Sequence, residues 1–189
     1  MRLTEREKIF LLEIVRETVR SSISSNGFRY EPSLQNIISL NRPEVLENHD
    51  AHVTIYKDNK VLVSVGRINQ NYPLYLLVRD LAIEATNRSS INFSDFNDIV
   101  CEVSVLEPYT KINSPDEIEL GIHGIHLIKE NRYGTLLPNT YGLKGWSKYE
   151  MVEHCATDKL KLENASDWKD CDLFIFQTIS FNEKQFGLA

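Results

Sequence analysis

The stretch Ile99-Val100-Cys101-Glu102-Val103-Ser104-Val105-Leu106-Glu107-Pro108 constrains this chain more than any other. β-Branched residues crowd it and alternate with period two, so Ile99, Cys101, Val103 and Val105 fall on one face of a strand and Val100, Glu102, Ser104 and Leu106 on the other. One face is wholly apolar and the other mixed. A strand buried on both faces usually lacks carboxylates, so the pattern predicts a central strand of an antiparallel or mixed sheet with its apolar face on a helix. Pro108 has no N–H to give and ends the ladder.

The flanking sequence supplies the helices and further strands. Thr4-Glu5-Arg6-Glu7 is a capping box, and Leu11, Ile14, Val15, Thr18, Val19 and Ile23 recur behind it at helical spacing up to a stop at Ser24 to Gly27. His52 to Lys57 and Lys60 to Gly66 alternate on either side of Asp58-Asn59, the signature of a hairpin with a two-residue turn. A regular register there opposes residue 55 to 62 and 53 to 64, which puts Ser64 on one face with Val53, Ile55 and Leu62, and His52 on the other. Pro73 is expected as the first residue of a core helix carrying Leu74, Leu77, Val78, Leu81, Ala82 and Ala85. A second hairpin spans Gly121 to Lys129 and Tyr133 to Pro138, with its bend at Asn131-Arg132 or Tyr133-Gly134. A capping box at Ser147-Lys148-Tyr149-Glu150 opens a last helix through Leu160, and Leu173, Ile175, Ile179 and Phe181 alternate in a last strand. Helices and strands intermix without a regular βαβ period, which predicts an α+β fold with a largely antiparallel sheet flanked by helices.

At 189 residues there is room for one domain, 1–189, with one substantial core. The stretch 24–50, broken by Pro32 and Pro43, reads as loop-rich cover containing one short helix around Leu34, Ile37 and Ile38, and as part of a small second lobe. The net charge of −6 offers no basic footprint for a phosphate backbone, which argues against a nucleic-acid module. No apolar run approaches the roughly 20 residues of a membrane span and no signal-peptide pattern opens the chain, so a cytoplasmic protein is expected. Cys101, Cys155 and Cys171 form no CxxC pair, and their odd number and wide spacing argue against a disulfide framework or a structural zinc site.

Several strings together resemble the AMMECR domain family nearly end to end. They are Tyr72-Pro73-Leu74, Glu102-Val103-Ser104-Val105-Leu106 with Pro108, Gly121-Ile122-His123-Gly124-Ile125, Leu136-Leu137-Pro138 and Trp146. Two departures stand beside them. The family's Leu-Arg-Gly-Cys-Ile-Gly string is replaced by Val61-Leu62-Val63-Ser64-Val65-Gly66, which keeps only the last glycine, and its Asp-x-Arg-Phe string is reduced to Ser90-Ile91-Asn92-Phe93. The resemblance implies a larger α+β lobe with an antiparallel sheet, a smaller lobe and a cleft between them. It also implies an accessory role beside a Memo-type protein or a radical-SAM enzyme, and it names no reaction or cofactor.

The candidate binding residues are Ser64, Gly66, Glu102, His123, Asn139 and Trp146. Ser64 stands where the family has cysteine, but no GxSxG elbow surrounds it, so a structural serine and a ligand-contacting hydroxyl both precede a nucleophile. Glu102 with His123 and His126 has the chemistry of a metal or acid–base site. Residues three apart on a strand face opposite ways, however, so the two imidazoles chelate together only across a bulge. His49-x-x-His52 with Asp50 lacks further ligands, and no metal is assigned. Asn139 and Trp146, with Tyr141 and nearby glycines, suit a binding surface, the alternative for Trp146 being a staple under the last helix. The expected function is therefore a non-catalytic binding or accessory protein whose cleft holds a small molecule or a partner segment. The alternative is an enzyme using Glu102, Ser64 or His123.

Overall fold

The computed structural model describes residues 2–24, 30–33, 35, 44–68, 71–89, 91–140 and 144–188. The short helix expected around Leu34, Ile37 and Ile38, and Tyr141, lie outside them. The chain divides into two compact units, Met1–Leu106 with Ile179–Ala189, and Glu107–Thr178. Both hold an antiparallel sheet flanked by helices, an α+β fold. Among the described residues no helix is long and apolar enough to cross a membrane.

In the first unit, helix α1 (Glu5–Ile23) starts on the expected capping box. The Thr4 hydroxyl accepts from the Glu7 N–H, and the Glu7 carboxylate accepts from the Thr4 N–H at 2.8 Å. Strands β1 (Ala51–Lys57) and β2 (Lys60–Arg67) are joined through Asp58 and Asn59 at φ 52° and 59°, the left-handed pair that a type I′ turn requires. Helix α2 (Leu74–Arg88) follows, with Pro73 just ahead of its first residue. Strand β3 (Ile99–Leu106) takes the expected central place in the sheet order β2-β1-β3-β8, where β8 is Thr178–Asn182. Its four odd residues are buried to within 1% among Leu11, Ile14, Val15, Leu77, Val78 and Leu81 of the two helices. Full burial of each such aliphatic side chain is worth about 1.5–3 kcal/mol, so this face holds the sheet on its helices.

The hairpin register differs from expectation by one residue. Tyr56 opposes Val61 but Ile55 opposes Val63, so Leu62 is an extra residue on β2, a bulge. The bulge turns Val63 and Val65 toward the core beside Ile55 and Val53, and it moves Ser64 opposite Thr54. A regular register would have pointed Ser64 into the apolar layer, at the cost of burying a hydroxyl there.

In the second unit, β4 (Thr110–Ile112), β5 (Gly124–Lys129), β6 (Arg132–Leu136) and β7 (Asp172–Phe176) form a sheet in the order β4-β7-β5-β6. The β5–β6 bend falls at Glu130-Asn131, earlier than expected, because Lys129 pairs with Arg132 and Glu130 takes the left-handed conformation at φ 55°. Helix α3 (Lys148–His154) opens on its capping box and widens into a π turn at Cys155–Lys159. This turn lies so close over β6 that a Cβ on Gly134 would sit 2.3 Å from Leu160 and 2.7 Å from Lys159. The last strand expected over Leu173 to Phe181 is two strands. β7 ends at Phe176 and β8 begins at Thr178, each in a different sheet, with the Gln177 carbonyl accepting from the Glu107 N–H at 2.8 Å. Period-two alternation persists through such a crossing and cannot reveal it.

Candidate functional site

With odd residues of β1 and β3 on the helices, the even ones form the opposite face of the first sheet. Thr54 of β1 lies between Ser64 of β2 and Glu102 of β3, and His52 lies between Gly66 and Ser104. The hydroxyls of Thr54 and Ser64 are 2.9 Å apart, and those of Ser104 and Ser180 2.8 Å apart. Tyr56 donates to the Glu102 carboxylate at 3.0 Å. Three of the candidate residues, Ser64, Gly66 and Glu102, thus share one face of one sheet.

Each has a local reason for its place. Ser64 is exposed, with Thr54 buried beside it. Gly66 leaves room for the His52 imidazole, whose atoms would lie 2.3 Å from any Cβ at that position. His52 and Ser64 therefore share a face, contrary to the regular register, because the bulge reverses the parity of β2 beyond it. Glu102 is half-buried, and burial pushes its carboxyl above the usual range against the opposing pull of hydrogen bonds from Tyr56 and Asn182. Tyr56 is pushed up in turn by its own burial and by the Glu102 charge beside it. Val100, Leu106 and the groups just named put neither lysine nor arginine on the even positions of β1 and β3. The face offers hydroxyls, a carboxyl and an imidazole.

The other candidates belong to the second unit and stand apart from one another. His123 precedes β5, where its Nδ1 accepts from the Glu119 N–H at 3.1 Å. Asn139 is exposed in the turn after β6. Trp146 stacks on His154, ring centroids 4.0 Å apart and planes 15° from parallel, and packs on the core that α3 covers. His126 is buried in β5, where its Nδ1 lies 2.9 Å from the Thr135 hydroxyl and its ring 5.2 Å from that of Tyr109. His49 meets Glu44 at 3.2 Å. Among the described residues no group of three or more His, Cys, Asp or Glu is placed to hold a metal ion.

Burial pushes the Cys101 thiol far up and the Cys155 thiol up to about 12, so both stay protonated and unreactive at neutral pH. Thr54, Tyr56 and Asn182 join the site although the sequence did not single them out. The alternation of His52 to Lys57 carries the first two, once β1 is known to lie between β2 and β3.

The family model for AMMECR1 matches residues 12–181. The chain belongs to the AMMECR1 family. A protein of Methanopyrus kandleri is 27% identical over 201 residues, covering 97% of this chain and 92% of that relative. A protein of Aquifex aeolicus is 30% identical over 145 residues, covering 70% and 73%. The crystal structure of an uncharacterized protein from Pyrococcus horikoshii matches with a TM-score of 0.85 at 23% identity, covering 97% of this chain and 95% of that one, a likeness of fold. Within this AMMECR1 chain, residues 61–66 lie in β2, so Ser64 and Gly66 lie on an edge strand and border the polar face.

Proposed function

We propose that this AMMECR1 protein is a non-catalytic binding or accessory protein, and that the polar sheet face around Ser64, Gly66 and Glu102 receives a small molecule or a segment of a partner. What supports this is the pairing of its groups. The Ser64 hydroxyl is turned to the Thr54 hydroxyl rather than to a base, and the Glu102 carboxylate is taken by Tyr56. A serine nucleophile needs a base within hydrogen-bond reach, and a hydroxyl bonded to a second hydroxyl gains no such activation. Hydrogen-bonding groups set side by side across β2, β1 and β3 suit recognition instead.

The family resemblance makes a Memo-type protein or a radical-SAM enzyme the partner class on this reading. The test is native mass spectrometry of the full chain isolated gently from its own cells. A retained small molecule or stoichiometric partner supports the reading. A chain that comes through bare, or one that turns over a co-purified metabolite with loss of activity in Glu102→Gln, overturns it in favour of an idle face or of an enzyme.

A further inference from the structure

At its hairpin end the polar sheet face runs into a depression of about 300 Å³, lined by Tyr56, Val100, Asp58, Asp98, Asn97 and Lys184 among others. Tyr56 and Val100 are a cross-strand pair of even residues on β1 and β3, so the depression continues the face that carries Glu102. The Tyr56 hydroxyl is given to Glu102 at 3.0 Å, which leaves the carbons of Tyr56 and Val100 as the apolar part of the wall. The volume is that of a site for a small ligand. Its rim is held in place. Asp58 and Asn59 stand in the left-handed turn at φ 52° and 59°, and the Asp98 N–H donates to the Asp95 carbonyl at 2.9 Å. Lys184, in the short turn Glu183–Phe186, donates to the Asn59 side-chain oxygen at 3.0 Å and ties that turn to the hairpin.

The charges around this depression do not satisfy one another. Lys57 is bonded to Asp95 at 2.6 Å, and that pair cancels. The Lys57 ammonium is held above its usual range first by the Asp95 bond and, against the cost of desolvation, by the charges of Asp95, Asp58 and Asp98, so three carboxylates lie about one ammonium. Lys184 meets a neutral amide oxygen, and among the described residues no cation bonds Asp58 or Asp98. Two carboxylates and one ammonium therefore face the depression unpaired, with one negative charge in excess. Lys60, opposite Lys57 on β2, does not line it.

We propose that this depression binds a free basic α-amino acid with an alkylammonium side chain. Its two ammonium groups meet Asp58 and Asp98, its carboxylate meets Lys184, and its aliphatic stem lies along Tyr56 and Val100. Two positive charges and one negative answer two negative and one positive, so every group gains a charged partner. A plain diamine sets nothing against Lys184, and a zwitterion without the second ammonium leaves one carboxylate unmatched. The proposal rests on the reading of the polar face as a binding face and names the class of its small molecule.

The test is isothermal titration of the full chain with L-lysine, which is expected to bind one to one with a Kd below about 1 mM. Norleucine lacks the side-chain ammonium and 1,5-diaminopentane lacks the carboxylate, and each is expected to bind about tenfold more weakly than lysine. Asp98 and Lys184 are exposed, so Asp98→Asn and Lys184→Met keep the fold, which thermal unfolding checks, and each is expected to weaken lysine binding about tenfold. No saturation by about 1 mM overturns the proposal. So does diaminopentane binding as tightly as lysine, the mark of a merely acidic patch, and so does unchanged lysine binding in either variant. If lysine fails while the chain isolated from its own cells still carries a ligand or partner, this proposal falls and the binding reading stands. If that chain is bare as well, both fall.

Discussion

Glu183 is the residue whose loss the fold should feel most. It is 1% exposed, and its carboxylate accepts from Arg16 Nε at 2.6 Å, from Arg16 Nη2, and from the Cys101 N–H. Arg16, 15% exposed, also donates to the carbonyls of Phe96 at 2.9 Å and Ile99 at 3.0 Å. One carboxylate thereby fastens the C-terminal turn to α1 and to the start of the central strand. Glu183→Ala leaves a guanidinium and an N–H without their acceptor. Breaking a buried pair costs about 3–5 kcal/mol, and Arg16 keeps its two carbonyls, which places the pair at the lower end. The orphaned Cys101 N–H adds about 1 kcal/mol or more, so the expected loss is about 4 kcal/mol. In urea unfolding with a slope of about 2 kcal/mol per molar, that moves the midpoint down by about 2 M. Glu183→Gln keeps a neutral acceptor and should lose about half as much. Because the partners act together, Arg16→Met with Glu183→Met should cost clearly less than the sum of the single changes. A loss below about 1 kcal/mol for Glu183→Ala, or strict additivity in the double variant, would refute the reasoning.

Two further outcomes follow from the structure. The raised Glu102 carboxyl means that the native chain holds a proton the unfolded chain has released, so stability falls as pH rises from the ordinary carboxylate range through the Glu102 titration. Glu102→Gln should flatten that part of the stability profile, and an unchanged slope in urea unfolding across pH would contradict the burial argument. Gly134→Ala forces a methyl against Leu160, Lys159 and the π turn and should cost about 1–3 kcal/mol in the same assay, against near-neutral behaviour if the turn simply shifts away.

The apolar half of this fold was legible in the sequence. Period two at Ile99 to Val105 and period 3.6 at Leu11 to Val19 and Leu74 to Ala85 are the signatures of faces that bury together, and those faces form the core. The polar half was less so, because it hangs on single-residue events. One extra residue at Leu62 reverses which face Ser64 occupies, and no propensity marks a bulge inside a run of valines. The crossing at Gln177 leaves the alternation intact. The family string pointed to Ser64 and Gly66 and the central strand to Glu102, but that the three share one sheet face comes from the pairing of β1 with both neighbours. Their companions Thr54 and Tyr56 were not legible, since their role comes from the strand order β2-β1-β3. His123, Asn139 and Trp146 sat in glycine-rich sequence that suggested a surface, and each has a separate local partner or turn.

The measurement that bears most directly on the polar face is a pair of native mass spectra, wild type and Ser64→Arg, each isolated from its own cells under the same conditions. Ser64 is exposed on an edge strand, so the arginine is accommodated while covering the face and setting a positive charge beside it. The account predicts a ligand or partner on the wild-type chain that falls at least tenfold in the variant, with stability lowered by no more than about 1 kcal/mol for the lost Thr54 bond. The same adduct at the same occupancy on both chains would contradict it.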